Sequence, residues 1–451
     1  VNVVLSLQQP GSSIKPLTYA AALSPGPNGE APAWTAGDLL WDVPVRYPQL
    51  DGNVYAPVNY TGNFHGPMRL REALASSYNV PAVLVLQDIG VDRLLSFAQQ
   101  VGIDSLGDDA ARYGLSLTLG GGELTPLELT SFYATLANQG RRVAPAAILS
   151  VTRTNGELLY EYQPPAPEPV VDPRVAFLLS DILDDDEARM PAMGRENPLA
   201  LPFPAAAKTG TTNDFRDNWT LGYTPGLAVG VWTGNTDNSE MVDVTGLSGA
   251  APLWSAYMQA VYADEGLRSV LAVDGSQPPD WYTPPPGLEQ RTLCVIESVV
   301  PGAEQCQPGP QEWFLQVEAS QPPTPPPADP VVVWNEIDPA VWQLVAAPLP
   351  AELPEELLAA LEMDDDLPPP EACYFPEGTP LDALPADALP GVYMEAPRNE
   401  ESLKGAYEWA RSAGLAIVPR LACSEELLDS GRGSELAIWR IRSPRDGDTV
   451  S

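Results

Sequence analysis

Proline punctuates this chain in two ways, and the change from one to the other bounds what can fold as a compact body. In the first 265 residues prolines open helices: Pro16, Pro67, Pro126 and Pro173 each fall where a first turn is expected, and a missing N–H costs least there. Further on they cluster at 278–286 and 322–330 and read as extended linkers. With 51 prolines among 451 residues and 44% hydrophobic residues, the chain suits two or three domains joined by such linkers. The expected organisation is a compact domain over 1–265 and a proline-rich linker over 266–330 with a small unit around Cys294 and Cys306. An acidic region over 331–435 follows, then the start of a further β module over 436–451.

Local patterns fill in the first domain. Residues 1–7 alternate like the middle of a strand, and 16–23 continue as a helix that stops at Ser24-Pro25-Gly26-Pro27. Residues 28–66 look irregular, 68–77 reads as an amphipathic helix behind Pro67, a second helix begins near Asn79, and 92–101 forms another. Thr125-Pro126-Leu127-Glu128 is a capping box that opens a helix to Asn138, closed by Gly140. Asn155-Gly156 is expected as the two-residue turn of a hairpin over 147–162, and Asp172-Pro173 caps a helix to Leu183. Residues 205–212, 218–223 and 227–232 read as three neighbouring strands, and 254–262 as a last helix. Helices flanking an antiparallel sheet make the layout α+β. In the acidic region, 400–413 reads as a helix and 415–418 as a strand.

Chemistry enters with Ser12 and Lys15, three residues apart at a predicted helix start, where the hydroxyl and the amine share one face. A serine hydroxyl is a weak nucleophile until a base takes its proton, and a lysine can serve once burial or a nearby cation lowers its pKa. The spacing by itself recurs by chance. Lysine usage sharpens it: among 24 basic residues lysine occurs only at Lys15, Lys208 and Lys404, and arginine cannot give up its proton in a protein. Ser13 is out of register with Lys15, as Ser76 is with Asn79. His65, the only histidine, sits in a Gly/Pro turn and reads as structural, and Gly120-Gly121-Gly122 lacks the spacing of a nucleotide loop.

Three elements stand in order: SxxK at Ser12 to Lys15, SxN at Ser77-Tyr78-Asn79, and KTGT at Lys208-Thr209-Gly210-Thr211. This set marks penicillin-binding proteins and class A β-lactamases. The chain resembles the transpeptidase domain of class A penicillin-binding proteins in QQPGSSIKPLTYAAAL, FHGPMRLREALASSYNVPAV, LGGGELTPLELTSFYATLANQG and AAAKTGTTNDFRDNWTLGYTPGLAVGVWTGN. VNVVLSLQQPGSSIKPL and LCVIESVVPGAEQC are similar to its penicillin-binding protein 1C-like branch.

The resemblance implies a five-stranded antiparallel sheet flanked by helices, with the site between the sheet and an all-helical lobe. It implies Ser12 as nucleophile toward the D-Ala-D-Ala carbonyl of a peptidoglycan stem peptide, Lys15 as acylation base, Ser77 as proton relay and Asn79 as holder of the substrate amide. Lys208 would keep Lys15 neutral, and Thr209, Gly210, Thr211 and Thr212 would bind the substrate carboxylate and backbone. The oxyanion hole would come from the N–H groups of Ser12 and Thr211. β-Lactams are the expected covalent inhibitors, and no cofactor or metal is expected. Cell-wall synthesis proteins are expected partners, and a glycosyltransferase domain and a membrane anchor are expected upstream, on the extracytoplasmic face of the bacterial membrane.

A formal net charge of -36 with no basic run makes nucleic acid and anionic membrane surfaces poor partners. No run of about 20 apolar residues is present. Cys294 with Cys306, and Cys373 with Cys423, would pair as disulfides in an extracytoplasmic location. Three other functions share the motifs: a D,D-carboxypeptidase, a β-lactamase, for which no Glu-containing loop supplying the second base is seen, and a wall-binding or penicillin-sensing protein without turnover.

Overall fold

In the computed structural model the described residues are 2–26, 30–49, 52–272, 276–303, 305–316, 333–334, 338, 340–348, 372–374, 388–419 and 421–423. They divide into two compact units. The first comprises Val1–Leu293, Pro310–Ser320 and Pro397–Ala406, and the second Cys294–Gly309, Gln321–Ala396 and Tyr407–Ser451.

In the first unit, a 3-10 turn over Gly11–Ile14 runs directly into helix α1 (Lys15–Leu23), with Pro16 in its first turn. All nine residues of α1 are buried; the run after Lys15 is largely apolar, and the hydroxyl of Thr18 is paired with that of Thr118 at 2.8 Å. Leu17 and Leu23 alone contribute about 2 kcal/mol each by leaving water. Strand β1 (Leu39–Asp42) pairs antiparallel with β2 (Gly66–Arg69), which leads into α2 (Leu70–Ala75), α3 (Asn79–Ile89) and α4 (Val91–Gln100). Pro67 therefore lies in a strand opposite Trp41, where 68–77 was expected as one helix; pairing with β1, itself hidden in an apparently irregular stretch, overrides the helical periodicity.

Helix α5 (Pro126–Ala137) opens with the capping box expected: Thr125 Oγ1 accepts from the Glu128 N–H at 3.1 Å, and Glu128 Oε2 accepts from the Thr125 N–H at 2.9 Å. A hairpin of Ser150–Thr152 and Leu158–Glu161 follows. Its turn is longer than two residues, because Arg153 N–H reaches Glu157 O at 2.8 Å across Thr154-Asn155-Gly156. Helices α6 (Pro173–Asp184) and α7 (Asp186–Met193) come next, with Asp172 capping α6.

The sheet contains β3 (Ala206–Thr211), β4 (Asp217–Thr224) and β5 (Leu227–Gly234), antiparallel in the order β5-β4-β3, with Pro225-Gly226 as the turn between β4 and β5. Among the described residues this sheet has three strands, where the resemblance implies five. Residues 1–7 do not supply one: Val3–Leu5 forms a 3-10 turn. Val4, Leu5 and Leu7 are about half exposed, so the alternation has no sheet to pack on. Helix α8 (Ala250–Ala263) buries Trp254 and Met258 against the sheet. Arg71 ties α2 to α6 and to residue 312 through Asp181 at 2.5 Å and Glu312 at 2.7 Å. Residues 397–406 also belong to this unit, where Arg398 lies 4.4 Å over the Trp34 ring and 2.9 Å from Asp38.

The second unit is built on a sheet of Val333–Trp334, Val341–Pro348, Ala372–Tyr374, Leu389–Met394 and Leu421–Ala422. Of the helix over Glu400–Ala413, only the part from Tyr407 belongs to this unit, and Ile417 makes only an isolated bridge to Met394 where 415–418 was expected as a strand. Cys294 is bonded to Cys306, and Cys373 to Cys423. The β module expected from 436 lies outside the described residues. No helix of the described residues is long and apolar enough to cross a membrane.

Candidate active site

The Gly11–Ile14 turn is closed by the Lys15 N–H donating to Ser12 O, an i to i+3 bond. In such a turn side chains three apart eclipse, so Ser12 and Lys15 rise from one side. Ser12 is partly exposed, whereas Ser13 is fully buried with its Oγ donating to Pro10 O at 2.6 Å. Only the former reaches the surface.

Close backbone contacts fix this turn. A Cβ on Gly210 of β3 would lie 2.3 Å from Pro10 O, so the KTGT strand runs directly against the segment before Ser12. Gly120, with φ at 95°, also comes so near that its Cβ would lie 2.3 Å from the Gly11 nitrogen. Gly120 thus allows a close approach of two backbones. Tyr133 Oη of α5 donates to Ser13 O at 2.8 Å, and Trp219 Nε1 of β4 donates to Gln9 O at 2.8 Å.

Both motif lysines are fully buried and both bond Ser77. Lys15 Nζ donates to Ser77 O at 2.6 Å, Tyr78 O at 2.9 Å and Asn79 Oδ1 at 2.8 Å. Lys208 Nζ donates to Ser77 Oγ at 2.7 Å and Thr209 O at 2.8 Å. Ser77 has φ at 64°, a left-handed conformation rare outside glycine, which turns its carbonyl toward one amine and its hydroxyl toward the other. Desolvation, then the charge of Lys208, holds the Lys15 amine well below the usual lysine range, partly offset by the Asp42 carboxylate. Lys208 is pushed down to about 7 by burial and by the Arg189 guanidinium. Arg189, buried in α7, escapes sequence reasoning because nothing near it resembles a motif.

Of the other residues singled out, Thr211 holds the Gly246 N–H on its Oγ1 at 2.8 Å, and Thr209 is buried opposite Thr220. Thr212 lies beyond the strand, its Oγ1 committed to the Asp217 N–H at 2.8 Å. Ser76 Oγ donates to Ala188 O at 2.8 Å, away from both lysines. A cavity of about 310 Å³ beside the start of β3 is lined by Asp184, Leu199, Leu201 and Phe203, and by none of the motif residues.

The penicillin binding protein transpeptidase domain matches residues 3–259. The chain belongs to that family. Penicillin-binding protein 1A of Neisseria cinerea is 34% identical over 268 residues, covering 56% of this chain and 31% of that protein. Penicillin-binding protein 1A of Aquifex aeolicus is 34% identical over 265 residues, covering 58% and 34%. The chain thus spans about a third of the length of these penicillin-binding proteins. The crystal structure of penicillin-binding protein 1A from Haemophilus influenzae aligns with a TM-score of 0.56 at 25% identity, covering 70% of this chain and 49% of that one. The α+β transpeptidase fold is common to both. Membership of a penicillin-binding transpeptidase family implies serine acyl transfer in peptidoglycan synthesis.

Proposed function

We propose that this chain is a serine D,D-transpeptidase that cross-links peptidoglycan stem peptides through an acyl-enzyme on Ser12. The observation that carries the reading is the convergence of Lys15 and Lys208 on Ser77 beside an accessible Ser12. Ser12 Oγ attacks the penultimate D-Ala carbonyl while its proton passes to neutral Lys15. Collapse of the tetrahedral adduct breaks the amide bond, and the departing D-Ala amine takes a proton through the Ser77 hydroxyl. An amine of a second stem peptide then attacks the ester, an amide forms, and Ser12 regains its proton. Asn79 holds the substrate amide, and Lys208, with Thr209, Gly210 and Thr211, faces its terminal carboxylate. The Thr212 hydroxyl supports the end of the strand, through Asp217. The contact of Gly11 with the Thr211 backbone supports an oxyanion hole formed by the Ser12 and Thr211 N–H groups.

Two disulfides suit an extracytoplasmic site of action, where stem peptides are joined, alongside other cell-wall synthesis proteins. The sequence blocks at 1–17 and 293–306 support a place in the 1C-like branch, while the relatives matched above carry the name 1A.

Labelling with a fluorescent penicillin tests this reading. Stable label on the wild type and on Ser13→Ala, with none on Ser12→Ala, is expected; label retained by Ser12→Ala overturns the nucleophile. Transfer of the acyl group to a D-amino-acid acceptor marks a transpeptidase. Release to water alone marks a carboxypeptidase, rapid loss of label a β-lactamase, and stable label without turnover of a stem peptide a penicillin-sensing protein.

A further inference from the structure

Helix α3 begins at Asn79 with a defect: its N-cap residue is Tyr78, whose side chain makes no capping bond. The cap comes from elsewhere in the chain. Asn59, 3% exposed in the loop between β1 and β2, accepts the Asn79 N–H on its Oδ1 at 2.8 Å and the Val80 N–H at 3.4 Å. These are first-turn donors without partners inside the helix. The neighbouring Val58 O accepts from Asn79 Nδ2 at 2.9 Å. A carbonyl only accepts, so Val58 O holds the Nδ2 end of the Asn79 amide and leaves one orientation, Oδ1 toward the Lys15 amine, which donates to it.

Asn59 is itself held from behind. Its Nδ2 donates to both oxygens of Asp42, at 2.8 and 2.7 Å, and to Asn63 O at 2.9 Å. Asp42 is fully buried and also accepts from the His65 N–H at 3.0 Å; its Oδ2 lies 2.6 Å from His65 Nδ1. The His65 ring lies 4.2 Å from that of Tyr78. Every polar end of Asn59 is thus occupied, and the chain of contacts runs Asp42, Asn59, Asn79, Lys15.

We propose that Asn59, clamped by Asp42, is a positioning residue of the acyl-transfer site: it sets the start of α3 so that Asn79 presents its oxygen to Lys15. This rests on the transpeptidase reading above. It gives the buried Asp42 a task at some distance from the reacting atoms, and it makes an apparently irregular loop part of the catalytic frame. Because Asp42 and Lys208 are the charged groups acting on the Lys15 amine, removing Asn59 while keeping both isolates the positioning effect.

The test uses the full chain and the variants Asn59→Ala, Asn59→Asp and the exchange Asp42→Asn with Asn59→Asp. Fluorescent penicillin gives the acylation rate constant at saturation and the dissociation constant of the preceding complex, and thermal unfolding gives the folded fraction. Incorporating lysine labelled with 13C at Cε yields three resonances, one per lysine, so the Lys15 titration is read directly. In Asn59→Ala the saturated rate per folded molecule is expected to fall about 10- to 100-fold with a smaller change in the dissociation constant. The Lys15 midpoint moves down, since the ammonium loses an acceptor. Asn59→Asp sets two carboxylates together and is impaired as well, and the exchange, which restores a donor–acceptor pair, recovers at least part of the rate. An Asn59→Ala protein that acylates within twofold of wild type per folded molecule and leaves the Lys15 titration unmoved overturns the proposal. If the wild type itself is never acylated, the transpeptidase reading falls. The Lys15 resonance then decides the positioning alone: a shifted midpoint in Asn59→Ala upholds it and an unmoved one overturns it.

Discussion

Lys15 and Lys208 grip the same residue from opposite ends, the first at the backbone carbonyl of Ser77 and the second at its hydroxyl. The two amines are therefore held at one fixed spacing by a single left-handed residue, and the charge of Lys208 makes that of Lys15 more costly.

Burying a charged amine costs stability. Lys208 titrates at about 7 when folded, against about 10.4 for a free lysine. Between those values the unfolded chain binds more protons, so stability rises with pH across the window, and below about 7 the full cost of burial applies. Lys208→Met is expected to be more stable than wild type by about 2 kcal/mol at pH 7, with the gap closing toward pH 10, and to lose acylation. Urea unfolding across this pH range measures the gap. A gap that stays constant with pH is the contrary result.

Ser13 looks interchangeable with Ser12 in the sequence and differs wholly in the fold. Ser13→Ala removes a buried hydroxyl and its bond to Pro10, at a cost of about 1 kcal/mol, and leaves penicillin labelling intact. Paired denaturation and labelling measurements separate the two effects.

Gly120→Ala drives a Cβ into the Gly11 backbone at a φ that disfavours any side chain. A loss of about 2–4 kcal/mol is expected, with slower acylation per folded molecule because the backbone beside Ser12 must shift. Gly156→Ala serves as the contrast: its φ is also positive, but no atom lies within 4 Å of the added Cβ, so acylation is unaffected.

The Thr125 cap predicts an acid-sensitive contribution. Burial opposes ionisation of Glu128, but bonds from Ser105 and Thr125 outweigh it and hold the carboxyl below its ordinary value. A depressed carboxyl adds stability that is present above the unfolded pKa of about 4.3 and is lost as pH falls through the folded value. Thr125→Ala is expected to cost about 1 kcal/mol at pH 7, and the difference from wild type shrinks below about pH 4. Thermal melts at pH 7 and pH 3.5 measure it.

Local chemistry made much of this protein legible in the sequence. The capping box at Thr125, the aspartate cap before Pro173, the three strands from Ala206 to Gly234 and the helix over Glu400–Ala413 all depend on contacts a few residues apart. The rest depends on neighbours that are distant in the chain. Residues 1–7 have a strand's alternation, yet Val3–Leu5 forms a 3-10 turn, while Met68 and Arg69, which open the run read as a helix over 68–77, lie in a strand paired with Leu39–Asp42. The sequence by itself determined which side chains stand out as candidates, since only Lys15 and Lys208 combine a titratable amine with motif spacing. Only the tertiary structure decided how they are held: by Ser77 between them, Arg189 behind Lys208, Gly120 against Gly11, and Asn59 beneath Asn79. Those relationships are set by burial and close packing between remote segments, which no local pattern encodes.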